Sequence, residues 1–167
     1  MRLNELTTRN DTRTTIEKEL LFITKIRKIL GTTKFELPKF IGINTVAETD
    51  NALGGCYWQP GENKVSIEIK KQMFNNAKTV QRVLAHELCH EADYLLHWLP
   101  MINEGVRKAS TPLDNTSVAR VKIFLKSFTT QLHKEGHGKS WNAFKDKLNA
   151  IYGKDYVTKF SDESYEI

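Results

Sequence analysis

The sequence predicts one α+β domain: a small sheet containing an antiparallel pair, packed on a long helix, with additional helices around it. Three observations lead there. The apolar residues recur at helical steps, switch to alternation between about residues 40 and 69, and then return to helical steps to the end. The 167 residues are 40% hydrophobic and 27% charged, a composition that closes a core without disulfide or metal staples and excludes collagen-like, low-complexity and wholly disordered classes. No internal repeat and no domain-separating linker interrupts the chain, so residues 1–167 read as a single unit.

The first helix is expected from Thr14, whose spacing to Glu17 is that of a capping box, through Ile16, Leu20, Ile23, Ile26 and Leu30 to Gly31. Three strands are expected at Phe40 to Val46, Ala52 to Gln59 and Lys64 to Ile69, the last two joined by the turn-forming Pro60-Gly61-Glu62-Asn63. Val65, Ile67 and Ile69 alternate with Ser66 and Glu68, so one face of the sheet should be covered. A second helix is expected from Asn75 to about His97; its apolar positions spread over more than one stripe, which places it centrally.

The segment from Trp98 to Thr116 holds two prolines and little periodicity, and reads as a wandering connection. Val118, Val121, Leu125, Phe128 and Leu132 mark a third helix, so 98–134 reads as a connection plus a basic helix. A fourth runs from Ser140 as N-cap to Gly153. Residues 1–13 and 155–167 are expected to be flexible ends.

No apolar run is long enough to cross a bilayer and the first fifteen residues are polar, so no membrane association is expected and the location expected is cytoplasmic or nucleoid-associated. Cys56 and Cys89 are expected to be free thiols. The net charge of +5 is uneven: residues 107–154 carry ten basic and three acidic groups, a block suited to phosphate.

His86-Glu87-Leu88-Cys89-His90 is an HExxH motif inside the predicted second helix. Residues four apart differ by about 40° around a helix, so both imidazoles face one way and a single metal ion can bridge them. Glu87, about 100° from His86, stands beside such an ion and suits a base. Zinc held by two or three neutral imidazoles keeps an open position, acidifies water and polarises a carbonyl. Three residues compete as third ligand. His97 lies seven residues after His90 and fits better as the residue closing a helix; Glu104 stands in an Asn-Glu pair fourteen residues on; His137 precedes a helix between two glycines. Cys89 points away from the ligand face and reads as a small buried hydrophobe. Of Tyr57 and Trp58, one is expected in the core.

The HExxH motif, preceded by Gly55-Cys56-Tyr57-Trp58 and Val65-Ser66-Ile67-Glu68-Ile69 and followed by Gly136-His137-Gly138-Lys139-Ser140-Trp141, resembles the SprT-like metalloprotease family, which includes the Spartan proteases. The likeness covers about residues 15 to 153. It implies a zincin-like fold, one zinc ion bound by His86, His90 and His137, Glu87 as the catalytic residue, and peptidase activity on a protein or peptide substrate. In relatives that activity is often stimulated by DNA and directed at proteins crosslinked to it. Two features depart from the family pattern: 46 residues separate His90 from His137, and no Cys-rich ribbon follows the catalytic part. The basic segment offers Arg107, Lys108, Arg120, Lys122, Lys126, Lys134 and Lys139 as phosphate contacts in the ribbon's place. The alternatives are a non-proteolytic nucleic-acid-binding adaptor with a structural zinc, and a zincin acting on peptides away from nucleic acid.

Overall fold

A computed structural model describes residues 3–43, 53–70, 76–134 and 136–158, with side chains described outside 3–15, 41–43 and 131–134. The order is α1 (Leu3–Leu30), β1 (Lys39–Ile43), β2 (Gly54–Tyr57), β3 (Ser66–Lys70), α2 (Ala77–Asp93), a π-helical segment (Tyr94–Trp98), α3 (Leu99–Ala109), α4 (Ser117–Lys134) and α5 (Lys139–Tyr152). The fold is α+β with a small mixed sheet, and no helix among the described residues is long and apolar enough to cross a membrane.

α1 begins eleven residues before the expected Thr14, because no glycine or proline between Leu3 and Arg13 halts a helix running upstream. It ends where expected: Gly31 adopts φ +87° and donates to the Arg27 carbonyl at 2.8 Å. Ile23, Ile26 and Leu30 are buried to within 2% on its inner face.

The strands are shorter than the apolar runs suggested, and the part of the first run beyond Ile43 lies outside the described residues. Strand order is β1-β3-β2, with β1 parallel to β3 (Phe40 opposite Ile67) and β2 antiparallel to it (Cys56 opposite Ile67). Val65, Ile67 and Ile69 all turn inward, as their alternation requires. The β2–β3 connection contains a type II turn, in which Gly61 takes φ +90° after Pro60 and Glu62 donates to the Gln59 carbonyl at 3.0 Å.

α2 touches α1, α5, β2 and β3, so its residues from Val83 to Cys89 are buried all round. Asn76 caps it, its side chain accepting from the amides of Lys78 (3.0 Å) and Thr79 (3.3 Å).

The helical path does not stop near His97. It widens into the π-helical segment, with Leu99 donating to the Tyr94 carbonyl, and continues as α3. The wandering connection expected after Trp98 is thus a helix through Ala109. Pro100 sits in its first turn, where the missing amide is no loss, and the extra residue of the π turn gives its ring room. α3 and α4 form a hairpin in which Gly105 lies under Phe124; a Cβ there would collide with the ring.

α5 is capped by Gly138 rather than by Ser140, which is already inside the helix. Beyond Gly153 the chain does not leave the body as a flexible end at once. Val157 is buried, bracketed by Asn149, whose Nδ2 donates to its carbonyl (3.0 Å) while Oδ1 accepts from its amide (2.8 Å). Arg82 donates to the carbonyls of Asp155 (2.8 Å) and Tyr156 (3.1 Å). Residues 154–158 form a strap across α2; the acidic stretch from Ser161 lies outside the described residues.

Candidate metal centre

The HExxH spacing does what helix geometry requires: His86 and His90 project from α2 toward the turn that precedes α5. There Asn142 Nδ2 donates to the carbonyls of His137 (2.9 Å) and Gly138 (2.8 Å), tying the turn to the first coil of the helix. His137 comes to rest with Nε2 3.2 Å from Nε2 of His86, which in turn lies 3.3 Å from Nε2 of His90. One donor atom from each of the three imidazoles falls within 4.8 Å of the others. Trp141, fully buried one turn into α5, walls the cluster, its ring centroid 4.4 Å from that of His137, 5.0 Å from His86 and 5.3 Å from His90.

The strap fixes the tautomer of His86. Its Nδ1 lies 2.8 Å from the carbonyl oxygen of Thr158, which can only accept, so Nδ1 carries the proton and Nε2 presents a lone pair to the cluster. Burial, reinforced by the neighbouring His137, lowers the His86 pKa to about 4, against the pull of the Thr158 carbonyl. Burial and the two neighbouring imidazoles depress His90 as well. His86 and His90 are therefore neutral at pH 7, as ligands must be.

The donor set fits a metal ion. Tetrahedral zinc with bonds of about 2.0–2.1 Å places its nitrogen ligands about 3.3–3.4 Å apart, close to both spacings here. Lone pairs meeting at that distance repel one another unless a cation or proton lies between them. Three histidines can thus hold one ion and leave a position open.

Glu87 lies on the sheet side of α2, its carboxylate against the backbone of β2. A Cβ on Gly54 would stand 3.0 Å from Glu87 Oε1 and 2.9 Å from the Glu68 carbonyl, so only glycine lets strand and carboxylate approach this closely. Burial pushes the Glu87 carboxyl up to about 8. A cleft of about 360 Å³ opens beside His90 between β2 and the π-helical segment, lined by Cys56, Tyr57, Trp58, Tyr94 and Thr129 among others. Trp58 stacks on Tyr94 with centroids 4.4 Å apart, and Tyr94 Oη makes a bifurcated donation to the carbonyls of Gln59 (2.8 Å) and Glu62 (2.7 Å). Of the aromatic pair, Trp58 packs inward and Tyr57 is exposed. Cys89 is fully buried, and both cysteines are free thiols.

The rival ligands lie elsewhere. His97 is exposed in the π-helical segment against Trp98. Glu104 is on the surface of α3, bound by Arg107 (2.7 Å) and Lys108 (3.3 Å). Those two pairs engage two of the proposed phosphate contacts. Arg120 is drawn inward as a staple of the α3–α4 loop, donating to the carbonyls of Ala109 (2.9 Å) and Pro112 (2.7 Å) and pairing with Asp114. Lys122, Lys126 and Lys139 are exposed, and the side chain of Lys134 is outside those described.

Fold and site together define an α+β protein in which three histidines lie close enough to bind one metal ion. No protein-family model, no curated protein and no solved structure matches the chain.

Proposed function

We propose that the chain is a zinc-dependent endopeptidase, zincin-like in architecture and SprT-like in its sequence signature. The observation that carries this reading is the convergence of His86, His90 and His137 beside a cleft that runs along an edge strand. β2 ends the sheet, so one side of its backbone has no strand partner among the described residues. An extended peptide added there gains main-chain hydrogen bonds with little dependence on its sequence. Zinc in the three-histidine site would supply Lewis acidity, polarising the scissile carbonyl and acidifying water.

The remaining work falls to the chain. Burial alone favours the protonated Glu87 carboxyl, and a cation bound nearby would favour its ionised form; so ionised, Glu87 takes the proton of the attacking water and returns it to the departing amine. Thr158 holds His86 in its ligating tautomer, and Trp141 keeps bulk water from the buried side of the cluster. Substrates associated with DNA remain part of the proposal through the exposed Lys122, Lys126 and Lys139, since Arg120 is spent on its own loop. The test is cleavage of an unfolded protein by the zinc-loaded chain, with and without DNA. Glu87→Gln is expected to keep the metal and lose about 10²–10⁴-fold in rate. A Glu87→Gln variant that cleaves as fast as the parent would refute the assignment.

A further inference from the structure

A second cavity, of about 660 Å³, lies away from the three histidines, where α1, the start of α2, the end of α5 and the strap meet. Its chemistry is of two kinds. Lys25, Lys78, Arg82 and Lys154 line it, with Asp155 as the one acid among the lining residues. Among the described residues none of the three lysines is paired with a carboxylate. Glu19, nearby, is turned to Gln81, whose amide donates to it at 2.8 Å.

Between the cations stand aromatic rings. Tyr152 and Tyr156 stack with centroids 4.8 Å apart, Phe22 meets Tyr152 edge-on at 6.4 Å, and Lys25 Nζ lies 5.2 Å over the Tyr152 ring. Phe22, Tyr152 and Tyr156 are all only half-buried, so they keep surface for a guest.

We propose that this cavity binds a nucleotide: an aromatic base against the tyrosines, with its phosphate among Lys25, Lys78 and Lys154. The volume lies within the range of small-molecule sites, stacking on aromatic rings tolerates any base, and ammonium groups with no carboxylate partner among the described residues suit phosphate. A purely apolar guest would leave the cations unanswered, and inorganic phosphate would leave the rings bare. The site shares no lining residue with the metal centre or with the basic segment from Arg107 to Lys139. It therefore stands or falls independently of the peptidase reading.

The test is calorimetric titration of the whole chain with adenosine 5′-monophosphate, adenosine and inorganic phosphate, repeated on metal-free and zinc-loaded protein. The monophosphate should bind about tenfold or more tightly than either fragment, with affinity falling as salt rises. The double variant Lys25→Glu, Lys154→Glu changes two exposed side chains and should lose about tenfold or more while keeping the parent's melting temperature. Tyr156→Phe should bind as the parent does, and Tyr156→Ala should lose about tenfold. Competition by a short oligothymidylate separates the sources: a strand that displaces the monophosphate more tightly than a free nucleotide does assigns the site to a nucleic-acid chain, and one that is no better assigns it to free nucleotides. Absence of monophosphate binding, equal binding of adenosine, or unchanged affinity in the double variant would overturn the proposal. Loss of peptidase activity in Glu87→Gln, with nucleotide binding intact, would leave it standing.

Discussion

At the scale of single residues, the hydrogen bond from His86 Nδ1 to Thr158 and the contact of Glu87 with Gly54 do most to define the centre. The first decides which nitrogen of His86 faces its neighbours; the second decides how close the Glu87 carboxyl lies to the strand. Gly54→Ala should cost about 1–3 kcal/mol in denaturant unfolding, because the added methyl meets backbone on one side and Glu87 on the other. A methyl accommodated at no cost would mean that β2 and Glu87 stand further apart. His86, Glu87 and His90 were legible because a five-residue motif on a helix converts spacing directly into direction. Gly54 and Asn142 were not: a close backbone approach and a side chain tying a turn depend on partners distant in sequence. Trp141 belonged to the recognised block, but only the packing gives it a role as a wall of the site.

At the scale of elements, proline misleads when read as a breaker. Pro100 led to an expected connection after Trp98, yet in a first helical turn preceded by a π bulge it costs α3 nothing. The strap after Gly153 was equally hidden, since its polar sequence carries no packing signal beyond Val157. Its grip on His86 makes a prediction: Asn149→Ala, which frees Val157, should weaken zinc binding about tenfold, at the low end of what loss of an orienting partner costs a metal site. A fall in melting temperature with unchanged zinc affinity would make Asn149 merely structural.

The surface of α3 offers a pH test. The Arg107 and Lys108 side chains bonded to Glu104 hold its carboxyl down at about 2. A carboxyl with a depressed folded pKa adds stability above its ordinary pKa near 4.5 and loses it as pH falls toward 2. The melting-temperature advantage of the parent over Glu104→Gln should therefore be small at pH 7, since the group is exposed, and should shrink between pH 4.5 and 3. An advantage that grows on acidification would contradict the pairing.

At the scale of the whole molecule, α2 is the axis on which sheet, α1 and α5 are assembled, and one buried ion pair fixes α1 against it. Arg27 Nε donates to both oxygens of Glu91 (3.0 and 3.2 Å), while its Nη2 reaches the carbonyls of Thr32, Phe35 and Glu36. Burial raises the Glu91 carboxyl to about 7, with Arg27 and Thr32 pulling it back down. Arg27→Ala leaves the buried Glu91 carboxyl with only the Thr32 hydroxyl as donor among the described residues and takes a donor from three carbonyls, and should cost about 3–5 kcal/mol in equilibrium unfolding. A loss below about 1 kcal/mol would show the pair to be dispensable. The sequence did hold a sign of it, a charged residue set among Ile23, Ile26 and Leu30 in the apolar stripe of α1, but no sign of which acid answers it. The α+β class and the central place of α2 were readable from periodicity, because burial on every side leaves apolar residues on every side. Strand order was not, since it depends on pairings that alternation does not encode.

The most direct test of the account is the zinc content of the purified chain beside that of His137→Ala, measured by elemental analysis after equilibration with a buffered zinc supply. The account predicts one tightly held zinc ion per parent chain, and at least a tenfold loss of affinity in the variant, whose site would keep only His86 and His90. Equal zinc affinity in the two proteins would contradict the three-histidine centre.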